Sequence, residues 1–248
     1  MADSLDHSLK VNVSIVTIGD ELLIGQVIDT NSAWMAQELN KAGFWLRRRI
    51  SVGDSKQEIT HALDEESRYA SVILITGGLG PTADDITKPV LCEYFGGSMV
   101  IDEGALANVK SIFSKLNRPI IERNLKQAEV PDNCTVIPNS RGTAPGMWFE
   151  KDGKIFVSMP GVPHEMKGMM TDFVIPHLQQ FFTLPFITHR TLVTFGIGES
   201  FLAEAIADWE SRLPVHLKLA YLPHYGMVPA VATINASWTM SLTRNLEN

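Results

Sequence analysis

The chain has 248 residues, of which 45% are hydrophobic and 20% charged, which is enough for one large domain and a smaller second one. Its net charge of −7 argues against a nucleic-acid-binding surface. No apolar run approaches the ~18 residues of a membrane span. Residues 1–4 lack the basic-then-apolar pattern of a signal peptide, so we expect a cytoplasmic protein with no membrane partner. Cys92 and Cys134 match no metal-binding spacing and are expected to be reduced.

Strands and helices are predicted to alternate over the first third of the chain. Strands are predicted at 11–18, 44–52 and 71–74, with helices at 29–42 and 55–69 between them. This order implies right-handed crossovers and a mostly parallel sheet. Asp20 and Glu21 directly follow the first strand, where loops of an open α/β sheet face the ligand crevice. Acids that only cap the turn are the alternative interpretation.

The third strand runs into a glycine-rich loop at 76–85, Thr-Gly-Gly-Leu-Gly-Pro-Thr-Ala-Asp-Asp. Its three glycines allow the backbone to turn with N–H groups free to face an anion. Pro81 suits the start of a helix, which would place Asp84 and Asp85 in its first turn. There they could complement the helix dipole or hold a cation such as Mg²⁺ against a phosphate. A glycine turn with helix-capping acids remains the alternative.

The remaining chain predicts further helices, a hairpin and a second unit. Helices are predicted at 86–94, 102–116 and 119–128, and a short strand at 134–137. Asp152-Gly153 between two apolar runs predicts a β-hairpin, which gives the sheet an antiparallel part. A Pro/Gly loop at 159–166 then leads into a helix N-terminus suited to an anion or a hydroxyl. After a linker near 184–185, a strand-helix-strand pattern predicts an incomplete small α+β domain.

Four motifs, in this order, resemble those of the CinA (competence/damage-inducible protein) family, whose N-terminal domain is similar to molybdopterin-binding proteins. The motifs are Gly19-Asp20-Glu21-Leu22-Leu23 with Asp29-Thr30-Asn31, the glycine loop through Thr87, Gly142-Thr143-Ala144-Pro145-Gly146, and Pro160-Gly161-Val162-Pro163 with Glu165-Met166. The resemblance covers roughly residues 11–182, and residues 186–228 resemble the start of the family's small middle domain.

The resemblance implies a three-layer molybdopterin-binding-like α/β fold in a domain spanning 1–184, followed by a partial middle domain at 185–248. It also implies metal-dependent hydrolysis of ADP-ribose to AMP and ribose 5-phosphate, and a homo-oligomer in which a dimer is favoured. Many CinA proteins continue into a nicotinamide-mononucleotide deamidase domain, and none is expected in this chain. The segment 229–248 departs from the family pattern.

Catalysis is expected to depend on Asp84, Asp85 and Lys88. Asp84 and Asp85, with Asp20, would hold Mg²⁺ or Co²⁺ and orient a water, while Lys88 would act as a point charge on a leaving phosphate. Either carboxylate pair could supply the base. The residues expected to bind substrate are Asp20, Glu21, Asn31, Gly77, Gly78, Leu79, Gly80, Thr82, Gly142, Thr143, Pro145, Gly146, Pro160, Gly161, Val162, Pro163 and Glu165.

Three other functions remain open at this point. The same fold and loops would serve molybdopterin binding or adenylyl transfer in molybdenum cofactor biosynthesis, so the expected ligand is ADP-ribose or an adenylated pterin. A dinucleotide-dependent oxidoreductase is a weaker alternative, because 78–83 match a looser Rossmann fingerprint that normally follows the first strand. A non-catalytic binding module is the third.

Overall fold

The computed structural model describes residues 11–214, 217–222 and 227–236. The chain divides into a larger unit, residues 11–40 and 44–183, and a smaller one that comprises 41–43 and the described residues between 184 and 236. The strands of the larger unit are β1 (Asn12–Ile18), β2 (Trp45–Val52), β3 (Val72–Thr76), β4 (Met99–Ile101), β5 (Glu129–Pro131), β6 (Thr135–Ile137), β7 (Gly146–Lys151) and β8 (Lys154–Met159). Its helices are α1 (Asp20–Leu23), α2 (Thr30–Lys41), α3 (Lys56–Glu66), α4 (Thr87–Phe95), α5 (Glu103–Lys115), α6 (Glu122–Leu125), α7 (Pro163–Met169) and α8 (Ile175–Phe181).

Six strands form the main sheet, in the order β2-β1-β3-β8-β7-β6. The pairs β1–β2, β1–β3 and β3–β8 are parallel, whereas β8–β7 and β7–β6 are antiparallel. Asp152 and Gly153 have φ values of 52° and 72°, the left-handed conformation that a tight hairpin turn requires. The predicted α/β fold, with a mostly parallel sheet and a β-hairpin, is therefore confirmed.

The central strands are buried on both faces, which gives the larger unit its layers. Ile73 and Ile75 of β3 pack into one buried cluster with Ile59 and Leu63 of α3. The alternate residues of β3 point to the opposite face, and Leu74 among them is fully buried. Helices therefore cover both faces of the parallel part of the sheet, as parallel strands require.

Two predicted helices differ from those observed. The helix predicted at 86–94 is observed at Thr87–Phe95, but the helical turn expected after Pro81 is absent, so Asp84 and Asp85 lie in a loop. The helix predicted at 119–128 is reduced to the short α6 and a 3₁₀ turn at Lys126–Ala128, which leads into β5.

The smaller unit contains β9 (Phe186–Phe195), α9 (Glu199–Glu210), β10 (Leu217–Tyr221) and β11 (Met227–Ala236). Its strands form an antiparallel sheet in the order β10-β11-β9. Strand β11 was not predicted from the sequence. The expectations for residues 1–4 and for the last part of the 229–248 segment lie outside the described residues. None of the helices in the described part of the chain combines the length and apolar character that a membrane span requires.

Candidate active site

A cleft of about 440 Å³ lies at the carboxyl ends of the parallel strands. Its lining includes Gly19 after β1, Gly77 after β3 and Pro160 after β8, because parallel neighbours end at the same edge of the sheet. Of the residues singled out in the sequence, those that line the cleft are Glu21, Asn31, Gly77, Gly78, Leu79, Gly80, Asp84, Asp85, Thr143, Pro160, Gly161, Val162, Pro163 and Glu165. Loops that are far apart in the sequence thus share one cavity.

The other candidate residues lie beside or behind this cleft. Thr82 and Lys88 line an adjacent depression instead. Gly142 packs against the Glu165 carboxylate, so a Cβ at this glycine would overlap it. The remaining candidates, Asp20, Pro145 and Gly146, are also outside the lining of the cleft.

The glycine loop lines the cleft and contains unpaired backbone donors. Gly77 has φ +115° and Gly78 has φ +66°. The N–H group of Gly77 is not available to a ligand, because it donates to the carbonyl of Met159 at 3.1 Å. Within the described residues, the N–H groups of Gly78, Leu79 and Gly80 donate to no protein acceptor. Successive free N–H groups form a concave site for an anion.

Asp85 holds the glycine loop in shape. Its carboxylate accepts hydrogen bonds from the N–H group of Thr82 at 2.9 Å and from the Thr82 hydroxyl. The carboxylate also occupies the space next to Gly80, where a Cβ would lie 2.4 Å from Asp85 Oδ2. This side-chain turn replaces the helical turn expected after Pro81. Asp84 remains at the cleft.

Asp54 is a cleft residue that was not predicted from the sequence. It follows β2 as Asp20 follows β1, and the two aspartates exchange hydrogen bonds. The N–H group of Asp20 donates to the Asp54 carboxylate at 3.0 Å, and that of Asp54 donates to the Asp20 carboxylate at 3.2 Å. Burial raises the pKa of the Asp54 carboxyl, and the charges of Asp20, Glu21 and Asp84 raise it further. Its position at a strand end was the signal that could have found it.

The carboxylates of the cleft suit a cation that enters together with a phosphate. Within the described residues, no three Asp, Glu, His or Cys side chains are gathered closely enough to hold an ion alone. Mg²⁺, however, is commonly bound by one or two carboxylates together with substrate phosphates. Asp54 and Asp84 line the same cleft and are close enough for the charge of Asp84 to raise the pKa of Asp54. A cation on a bound diphosphate would offset this repulsion.

The opposite wall of the cleft is fixed by side-chain hydrogen bonds. Asn31 Nδ2 donates to the carbonyl of Gly161 at 2.7 Å and so joins the start of α2 to the loop after β8. Asn31 Oδ1 is buried and has no hydrogen-bond partner among the described residues. The Thr143 hydroxyl hydrogen-bonds to Gln127, a second cleft residue that was not predicted from the sequence.

Replacing the buried Lys88 by methionine is expected to change how stability depends on pH. Burial is the main cause that lowers the pKa of Lys88 from 10.5 to about 8, although the charges of Glu129, Cys134 and Asp85 oppose the shift. Between these two values the unfolded chain binds more protons than the folded one, so the free energy of unfolding rises with pH. We expect Lys88 to contribute an increase of about 1 kcal/mol between pH 7.5 and 9.

Urea unfolding at pH 7.5 and 9 measures this slope, which Lys88→Met should remove and the exposed Lys110→Met should retain. Burial raises the pKa of Cys134 to about 11, so this thiol lowers the free energy of unfolding as pH rises through the ordinary thiol range. The thiol is present in all three proteins, so its effect cancels when the variants are compared with the wild type. If the free energy of unfolding of Lys88→Met still rose with pH as it does in the wild type, the rise would not come from Lys88.

Comparison with known proteins identifies the class of this domain and then the family. Residues 14–180 match a family model described as "Probable molybdopterin binding domain", so the larger unit is an α/β domain of the molybdopterin-binding type. The chain is 34% identical to the solved structure of CinA, described as of unknown function, from Thermoplasma acidophilum, with a TM-score of 0.60. That match covers 66% of this chain and 96% of the other. The chain belongs to the CinA-like family.

Longer relatives support the same assignment. A CinA-like protein from Flavobacterium psychrophilum is 48% identical over 219 residues, which are 88% of this chain and 52% of the relative. A CinA-like protein from Cytophaga hutchinsonii is also 48% identical, over 88% of this chain and 52% of the relative. The chain therefore spans about half the length of the curated relatives it matches.

Proposed function

We propose that the chain hydrolyses the diphosphate bond of an adenosine diphosphate sugar in a metal-dependent reaction, converting ADP-ribose to AMP and ribose 5-phosphate. One observation carries the proposal: Gly78, Leu79 and Gly80, whose N–H groups are unpaired, line the same cleft as Asp54 and Asp84. Backbone donors bind phosphate oxygens, and carboxylates remove a proton from water.

In the proposed reaction the three N–H groups hold the oxygens of the phosphate that is attacked. Asp54 accepts a proton from a water molecule, since a carboxyl with a raised pKa is a stronger base than an ordinary aspartate. The water oxygen forms a bond to this phosphorus, and the bond from phosphorus to the bridging oxygen breaks. The second phosphate leaves with the bridging oxygen. A divalent cation on the diphosphate, next to Asp54 and Asp84, would neutralise charge that develops on the leaving group.

Apolar side chains in the cleft suit the planar base of the substrate. Val27 is 49% exposed and Ile28 83% exposed, and both line the cleft. Val162, 52% exposed, lines it from the loop after β8. An adenine between these surfaces would cover apolar area otherwise in contact with water. The unpaired Asn31 Oδ1 would then be free to accept a hydrogen bond from an amino or hydroxyl group of the ligand.

Molybdopterin binding is the second candidate function, and the description of the matching family model favours it. Molybdopterin combines a pterin ring system with a side chain that carries a phosphate, so the same apolar surfaces and backbone donors would accept it. The two functions differ in chemistry, because binding or adenylyl transfer does not release ribose 5-phosphate.

The deciding experiment incubates the purified chain with ADP-ribose and Mg²⁺ or Co²⁺, and follows products by ³¹P NMR. Equal amounts of AMP and ribose 5-phosphate are expected, and Asp84→Asn should slow their release. A parallel incubation with molybdopterin and ATP tests adenylyl transfer. Adenylated pterin formed in the second mixture, without product in the first, would replace the proposed function by the alternative.

A further inference from the structure

A second depression of about 600 Å³ adjoins the cleft. Gly80, Pro81, Asp85 and Gln127 line both cavities, so the end of the glycine loop forms the boundary between them. A diphosphate held by the glycine loop therefore has a cavity on each side for the two groups that it joins. In the proposed function the base occupies the cleft, which leaves the second depression for the other group.

Lys88 gives the second depression a buried positive charge. The residue lines the depression and is only 8% exposed. Its ammonium donates one hydrogen bond, to the carbonyl of Gln127 at 3.0 Å. Within the described residues it forms no salt bridge, although an ammonium carries three donors. A buried cation with two unused donors is suited to an anionic oxygen.

The lining of the depression includes apolar side chains, among them Met99 and Ile121, and also a second unpaired cation. Arg123 is exposed there and forms no ion pair or hydrogen bond within the described part of the chain. Lys126, by contrast, is paired with Glu122 at 3.3 Å. The side chain of Glu129 also lines the depression. These donors and acceptors suit the hydroxyl groups of a sugar.

We propose that the second depression is the leaving-group subsite and that it takes a phosphorylated sugar, with Lys88 binding its phosphate and the other polar side chains of the lining binding its hydroxyls. The inference rests on the proposed function and adds the half of the substrate that the cleft does not hold. When the bond between the attacked phosphorus and the bridging oxygen breaks, that oxygen stays with the phosphate in the second depression. The ammonium of Lys88 stabilises the charge that this phosphate gains.

Calorimetric titration of the full chain with ribose 5-phosphate tests the subsite without any need for turnover. Lys88→Met should weaken ribose 5-phosphate binding about tenfold or more, because a charge-assisted hydrogen bond contributes about 1.5–3 kcal/mol. AMP binding to the same variant should stay within about twofold of the wild type, since the base half lies in the cleft. The exposed Lys110→Met is the matched control and should bind both ligands as the wild type does.

Arg123→Ala is the second variant, because an exposed side chain can be removed with little effect on folding. It should weaken ribose 5-phosphate binding about threefold and leave AMP binding unchanged. Equal binding of ribose 5-phosphate to the wild type, Lys88→Met and Arg123→Ala would overturn the subsite. So would a wild type that binds AMP and no ribose 5-phosphate, or equal weakening of both ligands in Lys88→Met.

The two proposals fail in different ways. If ribose 5-phosphate binds in a way that depends on Lys88 but ADP-ribose is not hydrolysed, the proposed reaction is contradicted and the subsite is supported. If ADP-ribose is hydrolysed but ribose 5-phosphate binding depends on neither Lys88 nor Arg123, the subsite is contradicted and the proposed reaction is supported.

Discussion

Asp54→Asn is expected to lower kcat for ADP-ribose hydrolysis by about 100-fold or more, the usual effect of losing a general base. The substitution removes the proton acceptor and keeps the fold, because an asparagine side-chain oxygen can still accept the hydrogen bond from the N–H group of Asp20. Stability at pH 7 should not fall. Burial, and after it the neighbouring charges, raise the pKa of Asp54, so its ionised form is disfavoured in the folded state.

The pH profile separates this role from a structural one. In the wild type, kcat/KM should rise with pH through a pKa above the ordinary aspartate value, since Asp54 must lose its proton to act. That limb should vanish in Asp54→Asn, while Asp208→Asn, an exposed acid of α9, should keep the wild-type profile and rate. If kcat/KM of Asp54→Asn still rose with pH as in the wild type, the general base would be another group.

Gly77→Ala should lower the free energy of unfolding by about 3 kcal/mol and abolish detectable hydrolysis. Gly77 has φ +115°, a conformation that disfavours any side chain. A Cβ at this position would also lie 2.2 Å from the carbonyl oxygen of Ile18, which belongs to the buried strand β1 and has little room to move. The glycine loop would have to shift, and with it the donors that hold the phosphate.

Gly153→Ala in the hairpin turn is the matched control. Gly153 has φ +72°, and a Cβ there meets no atom within 4 Å, so only the backbone conformation is penalised. A loss of about 1 kcal/mol with normal activity is expected. Urea denaturation of both variants measures the difference. A Gly77→Ala protein as stable and active as Gly153→Ala would show that the close approach to Ile18 is not required.

The arrangement of loops was predictable because it depends on the periodicity of apolar residues and on the positions of glycines along the chain. Alternating apolar strands and helices predict a parallel sheet, and a parallel sheet brings the ends of its strands together. The order of strands and loops along the chain is therefore enough to predict that Glu21, Gly78 and Gly161 share one cleft, as they do. This prediction needs no knowledge of individual side-chain contacts.

The roles of single acids were not predictable in the same way. Asp85 and Asp84 are adjacent and chemically identical, and only the hydrogen bonds from Thr82 show that Asp85 shapes the loop. Asp54 was missed because its significance depends on β2 lying beside β1, a pairing that joins segments distant in the sequence. Lys88 was placed correctly along the helix, but its direction toward the second depression depends on packing against Gln127.

The pairing of β8 with β3 has a consequence for the protein during its synthesis. The cleft needs the loop that begins at Gly19 and also the one that begins at Pro160, and Asn31 joins the two across 130 positions of sequence. A nascent chain whose second loop has not yet left the ribosome would contain most of the strands of the sheet but would lack one wall of the cleft. Ligand capture should consequently switch on late and abruptly as nascent chains lengthen, rather than growing in proportion to their size.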